Sequence, residues 1–152
     1  MSTHTATVTW QRGAAAFVDN RYSRVHDWAF DGGTQVRAAA SPDVVPLALT
    51  AADAVDPEEA FVAALSSCHM LWFLSIAAQK GWCVNRYEDA ALGHMRKNAD
   101  GRLAITEIVL RPRIEFVGRT PTAEELTALH HAAHAQCFLA ASVKADIRIE
   151  SR

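Results

Sequence analysis

Two cysteines, Cys68 and Cys137, carry the clearest capacity for chemistry in this chain. Cys68 lies inside an apolar helical run over residues 57–80, and Cys137 follows a second helical stretch. With three cysteines and no Cys-x-x-Cys pair, neither a disulfide framework nor a ribbon-type zinc site fits. Two thiols embedded in core-forming segments are either inert packing or a redox pair. A cysteine attacks as the thiolate, and the helix dipole cannot supply one at Cys68. That residue sits about three turns inside its helix, whereas the dipole acts within the first turn. A reactive Cys68 therefore requires a cation from elsewhere, and Arg12, Arg21, Arg24 and Arg37 are available in the N-terminal region.

Glu58 either simply favours the N-terminus of the helix by its charge or orients such an arginine against the thiolate. Its neighbour Glu59 has a structural task, because Asp56-Pro57-Glu58-Glu59 has the form of a capping box with proline at the first helical position. Glu58 lies ten residues before Cys68, roughly 15 Å of rise along one straight helix. The two cannot touch within that helix, so an arginine must bridge them or the site is shared between subunits. A separate constellation is His130, His134 and Cys137, whose spacings of four and three place them on one helical face. Imidazole and thiolate ligands at such spacing could hold zinc, with His69 and His94 as further ligands. The bland alternative is an amphipathic helix with ordinary histidines. Cys83 reads as packing, and Trp72 and Phe73 beside Cys68 are either core or the lining of an apolar pocket.

The elements that must position these residues follow from local signals. Residues 3–12 alternate as a strand and lack the apolar core of a signal peptide. Strands are expected over 15–19, 26–30 and 34–40, the last two joined through Asp31-Gly32-Gly33. Residues 41–55, with Pro42 and Pro46, read as an irregular connection. Gly81 stops the long helix. Residues 87–97 and 102–117 read as two long strands around Asn98-Ala99-Asp100-Gly101. Thr122 and Glu125 form a second capping box that opens a helix running to about residue 135. Alternation over 142–150 closes the chain with a strand. This order gives an α+β fold rather than a doubly wound one.

At 152 residues, 50% apolar and 21% charged, the chain is expected to be a single domain, residues 1–152, with a substantial core. The net charge of −2 advertises neither nucleic acid nor an anionic membrane surface. Ser66, Ser67, His69 and Ser75 interrupt the longest apolar stretch, which favours a buried core helix over a membrane span and a cytoplasmic protein by default.

The stretch from Asp56-Pro57-Glu58 to Ser66-Ser67-Cys68 resembles the signature of the OsmC/Ohr family, the osmotically inducible and organic hydroperoxide resistance proteins. The segment Ala133-His134-Ala135-Gln136-Cys137-Phe138-Leu139 resembles that family's second-cysteine region. The resemblance covers nearly the whole chain. It implies antiparallel sheets packed around two helices, with the long central helix carrying Cys68, in an intertwined homodimer with sites at the interface. It implies a cysteine-based peroxidase acting on organic hydroperoxides, and on hydrogen peroxide as a further substrate, without metal or bound cofactor. In that reading Cys68 attacks, Cys137 resolves, an external dithiol reduces the disulfide, and Glu58 pairs with Arg24, Arg37 being the alternative arginine. Two departures stand out. Phe138 replaces the proline that commonly follows the second cysteine, and His69 replaces the usual apolar or aromatic residue after the first. A metal-binding or non-catalytic small-ligand-binding member is the competing reading.

Overall fold

The computed structural model describes residues 1–151. Its elements are β1 (Ala6–Thr9), β2 (His26–Phe30), β3 (Gln35–Ala38), α1 (Pro57–Gln79), β4 (Cys83–Asp89), β5 (Leu92–Lys97), β6 (Leu103–Leu110), β7 (Pro112–Val117), α2 (Ala123–Gln136) and β8 (Asp146–Ile149). The class is the expected α+β, with two helices and largely antiparallel sheets. The chain forms two compact units, Met1–Ala60 and the remainder from Phe61, and the boundary falls in the first turn of α1.

The first unit is an antiparallel sheet in the order β1-β2-β3. Gly33 takes φ +82 in the β2–β3 turn and donates to the Phe30 carbonyl at 3.0 Å, a conformation that glycine adopts without a Cβ penalty. Residues 15–19 are not the expected strand. Phe17 stacks on Tyr22 at 4.7 Å, Trp10 meets Tyr22 edge-on at 5.2 Å, and Asn20 turns the chain with φ +60. Aromatic clustering here overrides a weak strand preference. Residues 41–55 are irregular apart from a 3-10 turn at Leu47–Leu49 and a parallel bridge from Val55 to Ala38 at the edge of β3.

The helix α1 starts where its cap dictates. Asp56 Oδ1 accepts from the Glu59 N–H at 2.7 Å, and the Asp56 N–H donates to Glu59 Oε2 at 3.2 Å. It ends at Gly81, φ +79, with the Trp82 N–H returning to the Ala77 carbonyl at 2.9 Å. Its buried residues, Leu65, His69, Phe73 and Ala77, recur every four positions and form one stripe.

That stripe serves two apolar clusters in the second unit. Phe73 and Ala77 join Trp82, Leu129 and Ala133 over the β4–β7 sheet, which contributes Val84, Tyr87, Ile114 and Phe116. Leu65 joins Ile108 and Leu110 over the β5-β6-β8 sheet. The long hairpin expected over 87–117 is present, but each arm is broken in two, so one hairpin feeds both sheets. The break is held by Asp89, whose carboxylate accepts from the Arg111 N–H at 2.6 Å and from the Ser66 hydroxyl, while Arg111 Nε donates to the Ala90 carbonyl at 2.7 Å. A further difference is that β8 lies parallel to β6 rather than antiparallel. The α2 crossover separates them and returns the chain in the same direction.

Candidate active site

The two cysteines singled out above come together. Cys68 projects from the middle of α1 and is half-buried; Cys137 caps the C-terminus of α2 and is 2% exposed. The two thiols lie near enough to perturb one another, and no disulfide joins them. Burial raises the Cys137 thiol above its ordinary pKa, and the hydrogen bond to Cys68 raises it further. The Ala140 N–H donates to Cys137 Sγ at 3.4 Å and offsets part of that rise. Cys137 is therefore the protonated, buried thiol of the two, and Cys68 the more accessible one.

Aromatic and imidazole residues neighbour the two cysteines along their helices. Trp72, one turn beyond Cys68, meets Phe138, the residue after Cys137, edge-on at 5.4 Å. Phe138 is 69% exposed, so this aromatic pair forms the outer edge of the site. Phe73 is core rather than pocket lining, with no exposed surface. On the inner side His69 Nε2 lies 3.1 Å from His130 Nδ1, the rings stacked at 5.4 Å. Both are buried, and burial is the first cause of each pKa falling to about 4, so both are neutral at physiological pH. This histidine pair joins residues 61 positions apart, and no local signal reports it.

The charged candidates all belong to the first unit. Glu58 lies in the first turn of α1 and makes no ion pair among the described residues. Arg24 belongs to the segment before β2. Its guanidinium donates to the Asn20 carbonyl at 3.1 Å, to Asn20 Oδ1 at 2.7 Å and to the Tyr22 carbonyl, and it covers the Tyr22 ring at 3.8 Å. Arg37 pairs with Asp53 at 2.6 Å, both well exposed. Arg12 donates to the Ala15 carbonyl at 2.9 Å.

His130, His134 and Cys137 do not converge as a zinc face. His130 turns to His69 and Cys137 to Cys68, and no group of three or more His, Cys, Asp or Glu side chains able to hold a metal gathers among the described residues. The expectation that Cys83 packs also fails, since it is exposed on β4. Alternation along that strand puts Val84 on the cluster side instead.

A thiol pair carried by two helices of an α+β scaffold defines a dithiol protein. The chain belongs to the OsmC-like family, whose model matches residues 50–152. An OsmC-like protein of unknown function from Vibrio cholerae is 52% identical over 100% of both chains, with a TM-score of 0.97. The organic hydroperoxide resistance protein OhrB of Bacillus subtilis superposes with a TM-score of 0.71 at 17% identity, over 99% of this chain and 98% of that one. An organic hydroperoxide resistance protein from Elizabethkingia anophelis gives 0.72 at 18% identity, over 99% and 94%. These last two share the fold. No curated protein matches the chain.

Proposed function

We propose that this protein is a cysteine-based peroxidase that reduces organic hydroperoxides, and hydrogen peroxide as a poorer substrate, in the cytoplasm. The observation that carries the reading is the Cys68–Cys137 contact, in which the buried thiol is held protonated against the accessible one. Cys68 as thiolate attacks the distal oxygen of R–O–OH, forming an S–O bond as the O–O bond breaks. The alkoxide leaves and takes a proton to become ROH, and Cys68 is left as sulfenic acid. Cys137 then attacks the Cys68 sulfur; the hydroxyl departs with the Cys137 proton as water, and a disulfide forms. An external dithiol reduces it and restores both thiols. No step needs a metal or bound cofactor.

Substrate class follows from the rim. Trp72 and Phe138 offer aromatic faces to the R group of an organic peroxide and no extra contact to hydrogen peroxide. Two of the structurally similar proteins are named organic hydroperoxide resistance proteins. Charge is assigned to Arg24, oriented by Glu58, with Arg37 as the alternative. The assembly is assigned as an intertwined homodimer of single OsmC-like domains. α1 is long and apolar enough to cross a membrane, and it is not the buried core helix expected, since only 22% of its most apolar stretch is buried within one chain and Phe61 and Leu71 stand 37% and 60% exposed. A second copy covering this face accounts for the composition without a bilayer.

Peroxide consumption with a dithiol reductant tests the reading. The parent protein should consume cumene hydroperoxide faster than hydrogen peroxide, and Cys68→Ser should abolish both. Cys137→Ser should complete the first half-reaction and accumulate a sulfenic acid that dimedone traps. Full activity in Cys68→Ser, or no consumption by the parent, returns the chain to the ligand-binding reading.

A further inference from the structure

The stripe that α1 buries is apolar except at one position. Leu65 belongs to one hydrophobic cluster and Phe73 and Ala77 to the other, and His69 sits between them at 1% exposure. Its partner His130 is equally unexpected on α2, where the other buried residues are Leu129 and Ala133. The pairing is costly. His130 Nε2 is buried with no hydrogen-bond partner among the described residues, and an orphaned polar atom of this kind is destabilising. Of the two tautomers, the cheaper places the proton on His130 Nδ1, donating to His69 Nε2, so that the orphaned His130 Nε2 is an acceptor rather than a donor. Two apolar side chains of similar volume would pack here at lower cost. Stability alone does not account for the pair.

Direction is what an apolar contact cannot supply. Side chains in the cluster around Phe73 and Ala133 tolerate a small slide or roll of one helix on the other, whereas an N–H···N bond of 3.1 Å does not. His69 follows Cys68 directly, and His130 precedes Cys137 by seven residues, two helical turns, on the same face of α2. A roll that moves His130 off His69 carries Cys137 away from Cys68 by a comparable amount. A disulfide closes only over Cα separations of about 4.4–6.8 Å.

Resting on the peroxidase reading for its biological purpose, we propose that the His69–His130 hydrogen bond is the interhelical lock that holds Cys137 on Cys68, making both histidines positioning residues for disulfide closure. They act through the helix register, not on the peroxide.

The test is the equilibrium of the Cys68–Cys137 pair with glutathione, in which two thiols plus oxidised glutathione give the disulfide plus two reduced glutathiones. It needs no peroxide, so it stands even if peroxide turnover fails. His130→Leu should lower the effective concentration of one thiol at the other at least tenfold, with a melting temperature equal to or above the parent's. His69→Leu should do the same, and the double variant should lose no more than either single one. His130→Gln, which retains an amide able to bond His69, should stay within threefold of the parent. An effective concentration in His130→Leu within twofold of the parent overturns the proposal. Should His130→Leu not fold, His69→Gln and His69→Leu decide it: a tenfold gap between them supports the lock, and equal values overturn it.

Discussion

The thiol pair and the arginine segment are held in opposite ways. Cys68 and Cys137 ride on two helices whose contacts are buried side chains: Phe73, Leu129, Ala133 and the two histidines. The Arg24 guanidinium is held by acceptors no more than four residues away, two carbonyls and the Asn20 side chain, and lies over a neighbouring ring, while its backbone N–H donates to the Leu49 carbonyl at 2.7 Å. The physical demands differ accordingly. Disulfide closure fixes a separation to within an ångström or two, whereas a charge is felt over several ångströms and falls off gradually. Rigid helices suit the first task and a locally bonded guanidinium on a loop the second.

The largest effect that tests this contrast is on rate. Arg24→Ala should slow peroxide consumption about 100-fold, the usual cost of removing one electrostatic contact to a reacting group, with circular dichroism and the glutathione equilibrium unchanged. If the glutathione equilibrium moves with the rate, the arginine also shapes the thiol geometry, and the division between the two regions is wrong.

Acid should loosen the helix-borne region. His69 and His130 titrate near 4 in the folded protein against an ordinary value of 6.5, so between these values the unfolded chain binds more protons than the folded one. Stability is then fully present above about pH 6.5 and falls as pH drops through about 4. The His134 and His131 charges lower these values further, and the Asp89 carboxylate opposes the shift at His69. Counting the coupled pair once and allowing for partial solvation, the loss is roughly 2 kcal/mol. Urea melts at pH 7 and pH 4.5 measure it, and His69→Leu/His130→Leu should flatten that difference. A double variant with the parent's pH slope assigns acid sensitivity elsewhere.

Packing sets the next smaller effect. Gly93 on β5 admits α1 closely: a Cβ there meets Val62 Cγ2 at 2.5 Å and Ile105 Cγ2 at 3.6 Å. Gly93→Ala should cost about 1–2 kcal/mol in chemical denaturation, because Val62, a β-branched side chain with a stiff χ1, must shift out of its rotamer. A cost near zero means α1 can retreat from the sheet, and its rigidity as a platform for Cys68 is overstated.

The same division separates what was legible in the sequence from what was not. The caps at Asp56–Glu59 and Thr122–Glu125 and the stop at Gly81 are local hydrogen-bond patterns, and all three occur as expected. The cysteines stood out because thiols are rare and their segments apolar. The breaks at Asp89 and Arg111 did not, since a carboxylate on one arm caps an N–H on the other. The parallel pairing of β8 with β6 and the His69–His130 bond are likewise tertiary, and periodicity carries no trace of them. His130 looked like a metal ligand because helical spacing gives its face but not what that face meets.

The smallest effect belongs to Arg37, and it is the sharpest control on the arginine assignment. Its pair with Asp53 is short, 2.6 Å, but the side chains are 50% and 81% exposed. The Arg37 guanidinium lowers the Asp53 pKa, by hydrogen bond first and charge after. In water such a pair gains little, because solvent screens the attraction and ordering two mobile side chains costs entropy. Arg37→Ala should therefore leave the melting temperature and the peroxide rate indistinguishable from the parent. The loop-borne cation is useful only where it can reach a reacting thiolate, so one arginine, not both, should matter. A large rate loss in Arg37→Ala with a normal Arg24→Ala would transfer the role to β3. Equal losses in both would mean that the net positive charge of the segment acts, with no single guanidinium assigned.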